Sequence, residues 1–130
     1  MNMISFEETG LILDEIADEM PDDFYRELNG GIILLPETKT HPGNNSIFIM
    51  GEYHNDRKGY GGLGRYIAIY YGSFTRLYGH LDRESFKSEL RRTLIHEFTH
   101  HVESLAGDRS LEIKDAAGMQ KYQKYRRKYK

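Results

Sequence analysis

Leu90-Arg91-Arg92-Thr93-Leu94-Ile95-His96-Glu97-Phe98-Thr99-His100-His101 is the stretch from which the rest of the chain can be read. It lies inside a run from Asp82 to Ala106 that contains neither Gly nor Pro. Such a run supports a long helix, and Asp82, three residues before Ser85, marks its start as an N-cap. Gly107 is expected to stop it in the usual C-terminal position, with the last turn near Leu105. At 100° per residue, Leu94, Ile95, Phe98, Val102 and Leu105 fall between about 160° and 260° from His96. That places an apolar face opposite the histidines.

The same spacing carries chemistry. His96 and His100 are four apart, hence one turn apart and about 40° from each other, so both imidazoles can point at one ion. Glu97 sits about 100° round from His96, beside such an ion rather than on it. From there a carboxylate can take the proton of a water activated at the metal as that water attacks a carbonyl. With no Cys in the chain, a thiolate nucleophile, a disulfide framework and a Cys-held metal are all excluded. Any metal must be held by His and carboxylates. With six His and twelve Glu among 130 residues, the H-E-x-x-H pattern arises by chance in about one such chain in forty.

Outward from this helix, 130 residues with 38% apolar content and a formal net charge of −2 suit one domain with a modest core. Ile4, Leu11, Ile12, Ile16 and Met20 recur at helical spacing, and Pro21 breaks that helix or opens a short second one through Leu28. Ile32 to Leu35 reads as a buried strand ended by Pro36, residues 37–46 as loop, and Ile47 to Tyr53 as a second strand. Asn55 to Arg65, with four Gly, reads as a flexible connection before a third strand, Tyr66 to Tyr71; the alternative makes the Gly-rich segment a cleft wall and that strand an edge for an extended peptide. Ser73 to Tyr78 adds a helical turn, and Lys114 to Lys130 a last helix.

The expected fold is therefore α+β: an N-terminal helix, a short mixed or antiparallel sheet of three to four strands, the long H-E-x-x-H helix and a C-terminal helical tail. The single domain has its core at about residues 4–115 and a basic tail at 116–130.

Charge is unevenly spread, with nine acidic residues against one basic in residues 1–27 and six basic residues in the last ten. Without a binding fold behind it, the basic end reads as a solvated helix face rather than a nucleic-acid signature. Gly59-Tyr60-Gly61-Gly62-Leu63-Gly64 lacks the Lys-Ser/Thr ending of a phosphate loop, which argues against nucleotide binding. The longest apolar run, Ile32 to Leu35, is far short of the roughly 20 residues of a membrane span. The acidic N-terminus shows no positive leader region. A cytoplasmic protein with no membrane or nucleic-acid partner is expected.

The chain resembles the minimal zincin-like bacterial metallopeptidases, small single-domain proteins built around H-E-x-x-H-H. The resemblance runs over roughly residues 5–115. It comprises Ser5-Phe6-Glu7-Glu8, Met20 to Phe24, Ile32 to Pro36, Gly59 to Gly62, Tyr66 to Tyr71 and, most specifically, Leu90 to His101. It implies a zincin-like fold, one catalytic Zn2+ on His96 and His100, Glu97 as general base, and hydrolysis of peptide bonds in a peptide or protein substrate.

Such proteins commonly supply an acidic third ligand after a short turn. Here Glu103 stands where that pattern has Gly, and Ala106 where it has the acid, with Gly107-Asp108 following. Asp108 is the expected third ligand, because Gly107 allows the sharp reversal that returns the next side chain to the metal. Glu112 is the runner-up. Glu103 ranks third, since three ligands on one straight helix would crowd a tetrahedral site. His101, near 140° beside Leu94 and Leu105, is expected to be a hydrogen-bonded core-edge residue, and Glu89 a solvated helix carboxylate. The alternative reading is a zinc-binding or peptide-binding module with little or no hydrolytic activity.

Overall fold

The computed structural model describes residues 3–56 and 64–112, the side chains of residues 56 and 108–112 excepted. Helix α1 (Phe6–Glu19) starts where Ser5 Oγ accepts the Glu8 N–H at 3.0 Å, and Glu7 and Glu8 in its first turn complement the helix dipole. Its apolar spacing buries Thr9, Ile12, Leu13 and Ile16. After Pro21 a short 3-10 helix (Asp22–Tyr25) turns back, and the Tyr25 hydroxyl donates to the Ala17 carbonyl at 2.6 Å.

Five strands follow: β1 (Gly31–Leu35), β2 (Lys39–His41), β3 (Asn44–Ile49), β4 (Gly51–Asp56) and β5 (Gly64–Tyr70). Helices α2 (Tyr71–Tyr78) and α3 (Arg83–Glu112) complete an α+β arrangement. The main sheet has the order β1-β5-β4 and is mixed. β5 runs parallel to β1, from Gly31↔Tyr66 to Leu35↔Tyr70, and antiparallel to β4, from Gly51↔Ile69 to Asp56↔Gly64. β2 and β3 form a separate antiparallel pair.

Four sequence expectations change. Residues 39–46, expected as loop, belong to a hairpin that continues to Ile49, and the strand predicted over Ile47 to Tyr53 is two strands interrupted at Met50. β5 is central, not an edge; the outer strands of the sheet are β1 and β4. Most consequentially, α3 does not stop near Leu105 but runs through Gly107 to Glu112. One Gly inside a helix costs about 1 kcal/mol relative to Ala, which weakens a helix without ending it when no Pro follows. The predicted last helix, the basic tail and residues 57–63 of the Gly-rich connection lie outside the described residues.

Period-2 alternation turns Ile67 and Ile69 of β5 to one side of the sheet, where they meet Ile12, Leu13 and Ile16 of α1 and Phe86, Leu90, Leu94 and Phe98 of α3. The buried arc of α3 consists of Phe86, Leu90, Leu94, Glu97, Phe98 and His101, which spans about 80° to 200° from His96 at 100° per residue. Ile95, expected inside, is 41% exposed. The helix is thus rolled by about 70° toward the histidines from the predicted orientation. His96 and His100 stand at the rim of the buried face rather than opposite it, and Glu97 lies within it. No helix among the described residues is long and apolar enough to cross a membrane.

Candidate metal centre

The site begins with the placement of α3. Asp82 Oδ1 accepts the Ser85 N–H at 2.7 Å, so the cap stands where the sequence placed it. Further along, Arg83 bonds Glu8 and Glu15, Lys87 bonds Glu15, and Arg91 bonds both carboxylate oxygens of Glu19, aligning α3 with α1.

One turn brings His96 and His100 together, both exposed, with Nε2 atoms 3.1 Å apart and ring planes at 87°. Two nitrogen ligands about 2.0–2.1 Å from one ion in a tetrahedral set stand about 3.3 Å apart, so the pair fits a shared ion with little adjustment. Imidazole nitrogens without thiolate suit zinc, copper, iron or nickel among the divalent metals.

Glu97 is 6% exposed and accepts a hydrogen bond from the backbone N–H of Tyr53 on β4. Burial pushes its carboxyl above the usual carboxylate range and the charge of Glu52 adds to this, while His100 and the Tyr53 N–H pull the other way. A carboxylate so placed is suited to taking up a proton.

His101 is fully buried. Its Nε2 lies 2.7 Å from the Arg26 carbonyl oxygen and its Nδ1 2.8 Å from the Tyr53 hydroxyl. A carbonyl only accepts, so Nε2 carries the hydrogen and Nδ1 of the neutral ring receives the Tyr53 O–H. Burial lowers the pKa of this ring, in keeping with the neutral form. Both nitrogens are engaged inside the fold, as the core-edge reading of His101 expected.

The backbone reversal that supported Asp108 is absent. At 1.5 Å per residue, the continuous helix sets Asp108 about 12 Å and Glu112 about 18 Å beyond His100 along its axis, so the backbone brings neither to the histidine pair. Their side chains lie outside the described residues. Glu103 is half-buried on the same helix, and Glu89 likewise. Among the described residues no group of three His, Asp or Glu is gathered to hold an ion.

Sequence reasoning did not find the β4 side of the site. Glu52 Oε1 receives Lys39 Nζ at 2.6 Å and the Tyr70 hydroxyl at 2.7 Å, with His54 Nε2 at 3.3 Å. Burial works to raise the Glu52 carboxyl, but the bonds from Lys39 and Tyr70 outweigh it and hold its pKa below the usual value. His54 stacks on Tyr66, centroids 4.6 Å apart and planes at 17°. The one local signal was the alternation Glu52-x-His54, which puts two titratable groups on one strand face. Lys39 and Tyr70 join them only through the tertiary fold.

Fold and site together define a small α+β protein with an exposed histidine pair and a buried glutamate on one helix. No protein-family model matches the chain, and no curated protein matches it. Among solved structures, a conserved hypothetical protein from Thermus thermophilus is 36% identical, with a TM-score of 0.69, over 80% of this chain and 99% of that one. The chain belongs to the same family as that protein.

Proposed function

We propose that this protein is a cytoplasmic zinc-dependent metallopeptidase of the H-E-x-x-H type with a zincin-like fold, acting on a peptide or protein substrate. The observation that carries this reading is the pair of exposed imidazoles with Nε2 atoms 3.1 Å apart, one residue from a buried carboxyl. His96 and His100 would hold one Zn2+. When bound, zinc polarises a carbonyl and brings the pKa of water to about 7. Glu97 takes the proton of the attacking water and hands it to the departing amine, a task matched by a carboxyl whose pKa is raised by burial. β4, as an outer strand beside Glu97, would pair with an extended peptide in place of β5, for which the sequence offered that role as an alternative.

Asp108 enters the ligand set only through a bend of α3 at Gly107. An Asp108→Ala variant that binds zinc about tenfold more weakly establishes that bend; unchanged affinity removes Asp108 from the site. The main test is Glu97→Gln, which should keep zinc and lose about 10²-fold or more in kcat on unstructured peptides. Zinc binding without cleavage of a broad peptide library overturns the enzyme reading in favour of a metal- or peptide-binding module. The presence of only two gathered donors among the described residues is what favours that second reading.

A further inference from the structure

Tyr53 is tied to α3 at two points one helical turn apart. Its hydroxyl donates to His101 Nδ1 at 2.8 Å, and its backbone N–H donates to the Glu97 carboxylate. His101 is itself fixed, since its Nε2–H donates to the Arg26 carbonyl at 2.7 Å and its ring lies against that of Tyr53 with centroids 5.2 Å apart. A continuous set of bonds therefore runs from Arg26 through His101 and Tyr53 to Glu97. A backbone N–H moves only with its strand. What fixes β4 against α3 therefore also fixes the donor that Glu97 receives.

We propose that Tyr53 and His101 are positioning residues for Glu97: their hydroxyl–imidazole bond sets where β4 sits on α3, and that seat aims the Tyr53 N–H at the carboxylate. The catalytic consequence rests on Glu97 acting as general base; the positioning itself does not. A carboxylate held by a directed donor keeps one orientation, and a misplacement of about 1 Å costs up to 10²-fold in rate where a proton must be passed at hydrogen-bond distance.

The test uses the full chain with Tyr53→Phe, which removes the hydroxyl and keeps the ring, together with His101→Asn and His101→Leu. Amide hydrogen exchange at residue 53 is read by NMR on metal-free protein, with the amides of Ile67 and Ile69 in the central strand as controls. Zinc stoichiometry, kcat and KM on an unstructured peptide are measured alongside. In Tyr53→Phe, exchange at residue 53 should accelerate about tenfold while the controls hold, and kcat should fall about tenfold with KM within about twofold and zinc retained.

His101→Asn, whose Oδ1 can accept where Nδ1 did, should recover part of the protection and rate that His101→Leu loses. Unchanged exchange at residue 53 in Tyr53→Phe overturns the proposal. So does acceleration of residues 53, 67 and 69 together, because that reports loss of global stability. A wild-type chain that cleaves nothing, while amide 53 alone accelerates in Tyr53→Phe, refutes the peptidase reading and leaves the positioning intact.

Discussion

Gly72 is held where no other residue fits. Its N–H donates to the Glu37 carbonyl at 3.1 Å, and a Cβ there would run into Thr38 Oγ1 and lie 2.8 Å from the Glu37 carbonyl carbon and oxygen. Next to it, Ser73 Oγ both accepts the Lys39 N–H and donates to the Lys39 carbonyl, each at 2.7 Å. These two residues fasten β2 to α2 and thereby place the Lys39 ammonium on Glu52. Gly72→Ala should destabilise the protein by about 1–3 kcal/mol, read from the urea midpoint. Gly10 is the contrast: its nearest neighbour would be Leu34 Cδ2 at 3.9 Å, so Gly10→Ala in α1 should stabilise by about 0.5–1 kcal/mol. Contacts that depend on spacing along one helix were legible beforehand, as the approach of His96 to His100 and the Asp82 cap show. The burial of Glu97 was not, because the roll of α3 is set by Phe86 and Leu90 packing on other elements rather than by the neighbours of Glu97 in the chain.

At the scale of elements, α1 and α3 are joined by charge as well as by their apolar faces. Hydrogen bonds from Lys87 lower the pKa of Glu15, those from Arg91 lower that of Glu19, and Arg83 adds to the first. A carboxylate with a depressed folded-state pKa contributes stability that is complete above its unfolded value and is lost as pH falls through the folded one. Wild type should therefore lose more thermal stability between neutral pH and the region below the ordinary carboxylate value of 4.5 than a Glu15→Gln, Glu19→Gln variant does. The difference should shrink with added salt, since these pairs are at the surface. Equal losses in both proteins would remove the ladder as a source of stability. The long helices were legible from their periodicity, whereas the β2–β3 hairpin was not. Its strands are mostly exposed and polar, so Thr-Lys-Thr-His-Pro-Gly-Asn-Asn reads as loop, and only pairing between Lys39 and Ile49 reveals it as sheet.

For the whole molecule, the histidine pair of the site sits on one element. Since His96 and His100 both belong to α3, a bound ion stabilises the fold by mass action at an already formed pair rather than by stapling distant segments together. Zinc at 100 times its dissociation constant should add about 2.7 kcal/mol, a rise of roughly 10 °C in the thermal midpoint. His96→Ala should abolish that rise. A midpoint that zinc does not move would remove the metal from the reading of this site.

The position of β5 between a sequence neighbour and a distant partner also orders the assembly of the sheet. The β4–β5 pair closes over a separation of eight positions at Asp56↔Gly64, whereas β1 meets β5 only over a separation of 35 positions at Gly31↔Tyr66. The longer closure costs about 1 kcal/mol more in chain entropy before any contact repays it. On this cost the β4–β5 pair is expected to form first and β1 to join it late. Leu34→Ala should accordingly speed unfolding while leaving the refolding arm of the chevron nearly unchanged, and a matching drop in the refolding rate would reverse that order.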